Sequence, residues 1–174
     1  MPAENGQKLT AISPMAFELE TERLILTRWQ ESDAASYRRL IGERGAGMPT
    51  LDAARSKIIS GRAASADNGI ATLPIRRRAE GDFIGYCGLV TGRSTLEEPE
   101  IAYELLRSAH GNGYATEAAS AVLAAAIATG RGRLWATVRT WNTPSFRVLE
   151  KLGFERRHSS WDDRGEIVWN VREL

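Results

Sequence analysis

Cysteine is almost absent. Cys87 is the only one in 174 residues. A single thiol excludes an intrachain disulfide and any Cys-rich metal site, so no metal is expected. Its bland role is that of a small buried apolar residue. Histidine is nearly as scarce, with His110 and His158 alone. An excess of one charge is also missing: Lys plus Arg number 23 and Asp plus Glu 22, for a net charge of +1. A dedicated nucleic-acid binder shows a basic excess, and an acidic disordered chain shows the reverse. No apolar run approaches the roughly 18 residues of a membrane span. The start of the chain carries Glu4, Asn5, Gln7 and Lys8 and lacks the apolar stretch of a secretory signal. What is present, 43% hydrophobic and 26% charged residues, fits one globular domain in a reducing compartment, expected to be the cytoplasm.

Along the chain, residues 1–16 read as a loose tail and 17–174 as a single domain. Leu24 to Trp29 alternates as a strand. Ser32 and Asp33 offer a helix cap before a helix that stops at Gly42. Thr50 caps a second helix expected to end near Gly61, with a polar loop over 63–69. Ile70–Ile75 and Phe83–Val90 read as a hairpin whose charged link contains Arg76, Arg77 and Arg78. That basic run suits a solvated tip or an anion site. Glu100 to Leu105 alternates as a further strand, and an Ala-rich helix follows and ends at Gly130. Leu134–Val138 is a strand. Thr143-Pro144 starts a helix closed by Gly153. Phe154–Arg157 and Ile167–Val171 are the last strands. The order is β-α-α-β-β-β-α-β-α-β-β, a mixed α/β fold.

The segment Gly111-Asn112-Gly113-Tyr114-Ala115 follows a predicted strand and opens a helix. A helix start presents N–H groups without intrahelical partners and the positive end of the dipole. Two glycines let a bulky anion approach, so the segment suits a phosphate or pyrophosphate; an ordinary strand–helix turn is the plain alternative. A dinucleotide fingerprint would need a small residue at Thr116 and an acid after the next strand, where Val138 and Arg139 stand. A nucleotide-binding α/β domain is disfavoured on those grounds.

Three segments in order, Glu100-Ile-Ala-Tyr-Glu-Leu-Leu, His110-Gly-Asn-Gly-Tyr-Ala-Thr-Glu-Ala and Trp141-Asn-Thr-Pro-Ser-Phe-Arg-Val-Leu-Glu-Lys-Leu-Gly-Phe154, resemble the GNAT superfamily of N-acyltransferases. Within it they resemble the RimJ/RimL-like branch, as does the opening segment Glu22-Arg-Leu-Ile-Leu-Thr-Arg-Trp. The resemblance spans roughly Leu19 to the C-terminus. It implies the GNAT fold: a central, mostly antiparallel twisted sheet of 6–7 strands flanked by about four helices. The activity implied is transfer of an acetyl group from acetyl-CoA to a primary amine, on a peptide or protein N-terminus or on a small molecule. A GNAT-fold acyl-CoA-binding sensor without turnover is the alternative. The chain is expected to be a monomer or homodimer with no nucleic-acid or membrane partner.

Carried over residue by residue, the resemblance places the pyrophosphate of acetyl-CoA on Gly111, Asn112, Gly113, Tyr114 and Ala115. Ser108 stands where the family has Gln or Arg. Leu105 and Leu106 would offer backbone amides to the pantetheine arm as an added strand would, with one amide polarising the thioester carbonyl. Asn142 would contact the CoA arm, or serve as a polar residue ahead of the helix cap. Glu100 takes the position of the general base, with Glu104 on the same strand face as its competitor. The two could also bind a cation or raise each other's pKa. Leu149 replaces the tyrosine that many relatives use as acid. Ser145 is then the candidate proton donor to the thiolate, with helix capping as its plainer role. His110 is expected to face the phosphates rather than to catalyse. The acceptor is expected near Tyr37–Ser65 and Ser159–Gly165, where Glu43, Trp161, Asp162 and Asp163 could receive a cationic amine or form a solvated turn.

Overall fold

The computed structural model describes residues 11–174. Residues 1–10 of the expected tail lie outside that range. From residue 11 onward the segment is tied down: Ser13 N–H donates to Thr129 O and Met15 N–H to Gly69 O, both at 2.9 Å. Met15 is 2% exposed and belongs to the main core.

Among the described residues, eight strands form one sheet. In chain order they are β1 (Leu19–Glu20), β2 (Leu24–Leu26), β3 (Thr72–Arg77), β4 (Phe83–Val90), β5 (Glu100–Leu105), β6 (Arg133–Arg139), β7 (Glu155–Asp162) and β8 (Gly165–Glu173). Four helices accompany them: α1 (Ala34–Gly42), α2 (Leu51–Asn68), α3 (Tyr114–Ala128) and α4 (Thr143–Lys151). The strand order is β1-β2-β3-β4-β5-β6-β8-β7, and all neighbours are antiparallel except β5 and β6. The mixed α/β order expected from the sequence is found, and the short β1 brings the sheet to eight strands.

Two helices cover each face. Helix α3 is Ala-rich, and Ala118, Ala119, Val122 and Ala126 are fully buried. Small side chains let it lie close against the sheet, in one core with Leu24, Leu73, Cys87, Ile101 and Leu134. Helix α4 adds Phe146 and Leu149 to that core. On the opposite face, Ala54 and Ile58 of α2 meet Ala34, Trp29 and Tyr37, and Leu40 of α1 meets Phe83 and Leu106.

Helix α2 does not stop at Gly61. No atom lies within 4 Å of where a Cβ at Gly61 would stand, so the glycine sits on an open helix face and leaves the hydrogen-bond ladder intact. The chain turns at Gly69, which has φ +70° and donates its N–H to Ser65 O. The segment expected as a loop over 63–69 is therefore two further helical turns. The three arginines of the β3–β4 hairpin are neither a bare tip nor a free anion site. Arg76 pairs with buried Asp33, Arg77 with Asp82 and Glu80, and Arg78 with Glu20.

Candidate functional site

The sheet is split where the only parallel pair among the described residues lies. β5 and β6 are in register at one position, Glu100 opposite Trp135, and diverge beyond it. On its other edge β5 is fully paired with β4, from Val90–Glu100 to Gly85–Leu105. Antiparallel hydrogen bonds alternate. Since Leu106 N–H donates to Ile84 O (2.8 Å), the amides of Tyr103 and Leu105 turn the other way, toward the gap. The reading of Leu105 and Leu106 as amide donors is thus half corrected. Leu105 faces the gap, whereas Leu106 has its N–H committed and its side chain 3% exposed in a core cluster. Tyr103 is the residue that the sequence reading missed. The two-residue strand period, counted from Leu105, is the signal that finds it.

The glycine turn closes one end of the gap. Gly111 and Gly113 both have φ +77°, and a Cβ at Gly111 would meet nothing within 4 Å. Space is open there, and the positive φ accounts for the glycines. Gly113 caps α3 with no side-chain hydrogen bond. The first intrahelical bond runs from Glu117 N–H to Gly113 O, which leaves the amides of Tyr114, Ala115 and Thr116 without helix partners. Asn112 is oriented by its own amide group, which donates to the carbonyls of Ala109 and His110. Arg23 clamps this turn. It donates to Asn112 O (3.0 Å), lies over the Tyr114 ring and pairs with Glu117 (2.7 Å). Burial opposes ionisation of Glu117, but hydrogen bonds from Thr21 and Arg23 outweigh it and hold the carboxyl below its usual value. Ser108 lies on a short 3-10 turn ahead of the glycines. His110 Nε2 is 3.0 Å from Leu105 O. A carbonyl only accepts, so this nitrogen carries the proton, and the ring braces the end of β5.

The two candidate carboxylates share a strand face but not a site. Four residues of strand separate them by roughly 13 Å. Glu100 is 5% exposed. It accepts hydrogen bonds from Arg93 N–H and from the Thr137 hydroxyl (2.7 Å). Gly92 packs over it, and a Cβ there would stand 2.6 Å from Oε1. A carboxylate has about four acceptor positions, so two remain for a proton or an amine N–H. Glu104 instead meets Arg44 through two guanidinium nitrogens, with Nε 2.9 Å away, and accepts from Tyr86 OH (3.2 Å). Burial, and then the Glu104 charge, push the Tyr86 phenol well above its usual value.

Helix α4 begins one residue earlier than expected, and Asn142 is itself its N-cap. The Asn142 side-chain oxygen accepts from Ser145 N–H at 3.4 Å. This separates two roles that the sequence left joined: Asn142 does the capping, and the Ser145 hydroxyl makes no intraprotein hydrogen bond among the described residues. Tyr103 OH crosses from β5 to donate to Ser145 O (3.1 Å), and burial holds that phenol well above its usual value. Leu149 is 1% exposed in the core.

Two of the acids expected to receive a cation are already engaged. Asp162 forms a two-pronged pair with Arg139, both contacts at 2.8 Å. That pair outweighs desolvation and holds its carboxyl far below the usual range. Glu43 accepts from Arg107 N–H. Trp161 stands 70% exposed on the β7–β8 hairpin.

A family model described as the acetyltransferase (GNAT) domain matches residues 23–155. The chain is 30% identical over 148 residues to the "Uncharacterized N-acetyltransferase YoaA" of Bacillus subtilis, covering 79% of this chain and 82% of the relative. Among solved structures it resembles an acetyltransferase from Agrobacterium tumefaciens, with 25% identity, a TM-score of 0.75, and 90% and 94% of the two chains covered. It also resembles RimL, a ribosomal alpha-N-protein acetyltransferase solved in complex with coenzyme A, with 13% identity, a TM-score of 0.78, and 90% and 98% covered.

Proposed function

Given that this chain belongs to the GNAT acetyltransferase family, we propose that it transfers an acetyl group from acetyl-CoA to a primary amine, in a ternary complex and without a covalent enzyme intermediate. The observation that carries this reading is the position of Glu100. A buried carboxylate sits at the apex of the gap between β5 and β6, and the unpartnered amides of the α3 start lie at the far end of the same gap.

Each group has a definite task. The amides of Tyr114 and Ala115, with those of the Gly111–Gly113 turn, would hold the pyrophosphate through the positive helix end. The free amides of Tyr103 and Leu105 would pair with the pantetheine arm, and Asn142 lies beside the α4 start for a further contact. Acetyl-CoA supplies the activated acyl carbon. Glu100 takes the proton that an alkylammonium, with pKa about 10, must lose before its nitrogen can attack. As the new C–N bond forms and the C–S bond breaks, the Ser145 hydroxyl can donate a hydrogen bond to the departing sulfur. A thiolate is a stable leaving group, so no stronger acid is needed. Glu104, held by Arg44, shapes the wall of the site and is not the base. Kinship with the RimJ/RimL-like branch is supported by the shared fold with RimL. The single buried thiol suits a cytoplasmic enzyme.

The test is a thermal-shift series with acetyl-CoA, CoA, NAD and ATP, followed by thiol release over a panel of amines. Stabilisation follows RT ln(1 + [L]/Kd). Acetyl-CoA and CoA should raise Tm at concentrations where NAD does not, and amines should release free thiol. Equal stabilisation by NAD would refute the cofactor assignment, and binding without release would refute turnover.

A further inference from the structure

A cavity of about 370 Å³ opens between α2 and the face of β3 and β4. Its ionisable lining is one-sided. Arg28, Lys57 and Arg62 border it, and among the described residues no Asp or Glu does. None of the three makes an ion pair within 4 Å among the described residues. Arg28 has its flat face over the Phe17 ring, 3.9 Å from the centroid, which leaves the guanidinium edge for a ligand. Trp29 and Tyr37 give the cavity an aromatic wall, and Trp29 is fixed there by its indole N–H to Thr72 Oγ1 at 3.2 Å.

Two further facts orient a ligand in it. Val90 and Thr91 line one end, and Val90 is the ladder partner of Glu100. Directly opposed residues have Cβ atoms about 5 Å apart, so this end of the cavity abuts the proposed base, and the three cations are exposed at its edge. Of the carboxylates nearby, Glu104 and Asp162 are paired with Arg44 and Arg139. An incoming acceptor therefore meets unpaired positive charge.

We propose that the acceptor is a small primary amine that also carries an anionic group, its amine delivered to Glu100 and its carboxylate or phosphate held by Arg28, Lys57 and Arg62. The proposal rests on the acetyltransferase reading above and narrows its substrate class. It reverses the expectation of a cation-seeking acceptor site. The volume matches a ligand of metabolite or dipeptide size.

Matched acceptors decide it. The panel is 4-aminobutanoate, its amide, 1,4-diaminobutane, 3-aminopropyl phosphate, and the dipeptides Ala-Asp and Ala-Lys. Thiol release and thermal shift in the presence of CoA are both measured. The anionic members should exceed the amide in kcat/KM by roughly tenfold and the diamine by more, with KM rising as salt is added. The phosphate and carboxylate arms identify the anion, and the dipeptides separate a peptide source from a free metabolite. In the Lys57→Glu/Arg62→Glu double variant the order should shift toward the diamine and Ala-Lys. That internal ratio does not depend on how much variant protein folds. Preference for the diamine in the wild-type protein, or an order unmoved by the double variant, overturns the proposal while leaving the acetyltransferase reading intact. Thermal stabilisation by the anionic amines that the double variant loses, without thiol release, keeps the anion site and refutes the transfer reaction. No stabilisation and no turnover with any anionic amine overturns the inference.

Discussion

Replacing Glu100 by Gln removes the charge and little else, and the structure shows why. The carboxylate faces one fixed donor, Arg93 N–H, and one rotor, the Thr137 hydroxyl. A glutamine can put its carbonyl oxygen toward Arg93 and its NH2 toward Thr137, whose oxygen also accepts. The packing under Gly92 is kept because the two side chains have the same shape. Two charge-assisted hydrogen bonds become neutral ones, a loss of about 1 kcal/mol. For a domain of this size that lowers Tm by about 2–4 °C. Activity should fall much further. A positioned general base contributes about 10²–10⁴ in rate, so the barrier rises by about 2.7–5.4 kcal/mol. The assay is steady-state thiol release with an alkylamine acceptor, beside calorimetric binding of acetyl-CoA, which should stay within about twofold of wild type because the cradle at α3 is untouched. The pH profile carries the sharpest test. Without a base, only amine that is already neutral reacts, about one molecule in a thousand at pH 7 for a pKa near 10. The variant rate should therefore climb about tenfold per pH unit toward pH 9, narrowing its deficit against wild type. A variant with kcat/KM within about threefold of wild type at pH 7, and a parallel profile, would remove Glu100 from the chemistry.

Gly113→Asp places a negative charge at the head of α3, and Gly113→Asn makes the same backbone demand at φ +77° without charge. Asn and Asp both tolerate this region better than other residues do. The Asp variant should lose roughly ten- to a hundredfold more acetyl-CoA affinity than the Asn variant, and equal affinities in a binding titration would refute the pyrophosphate cradle. Cys87 is fully buried, and desolvation pushes its thiol far above the ordinary range, more than the hydrogen bond from the Gly88 backbone lowers it. Iodoacetamide at pH 8 should leave the native protein unmodified for hours by intact mass while labelling the urea-unfolded chain within minutes; prompt labelling of the native protein would show that β4 opens locally.

The parts of this molecule that were legible in its sequence are those set by local rules. Thr50 capping α2, Pro144 in the first turn of α4 and Gly153 after it act within a few residues, and each marks the element that it was expected to mark. Strand parity likewise put Glu100 and Glu104 on one face. The misreadings came from partners distant in sequence. Glu104 competed with Glu100 for the role of base until Arg44, 60 residues away, was seen to pair with it. Leu106 looked like an amide donor until Ile84, across the β4–β5 ladder, took its hydrogen. Arg23 gave no sign of guarding a turn 89 residues downstream. The stop assigned to Gly61 shows a different failure: a glycine costs a helix about 1 kcal/mol, which the alanines and arginine that follow it and the packing of Ile58 and Ser65 can offset. That error had a functional consequence. Ending α2 at Gly61 removes Ala64, Ser65 and Asn68 from the wall over β3 and leaves Arg62 in a loop, so the cationic cavity exists only because the helix continues. Sequence rules placed the proposed base on β5 and the proposed cofactor cradle at the start of α3, whereas the unpaired positive charge beside them became visible only once the full length of α2 was in place.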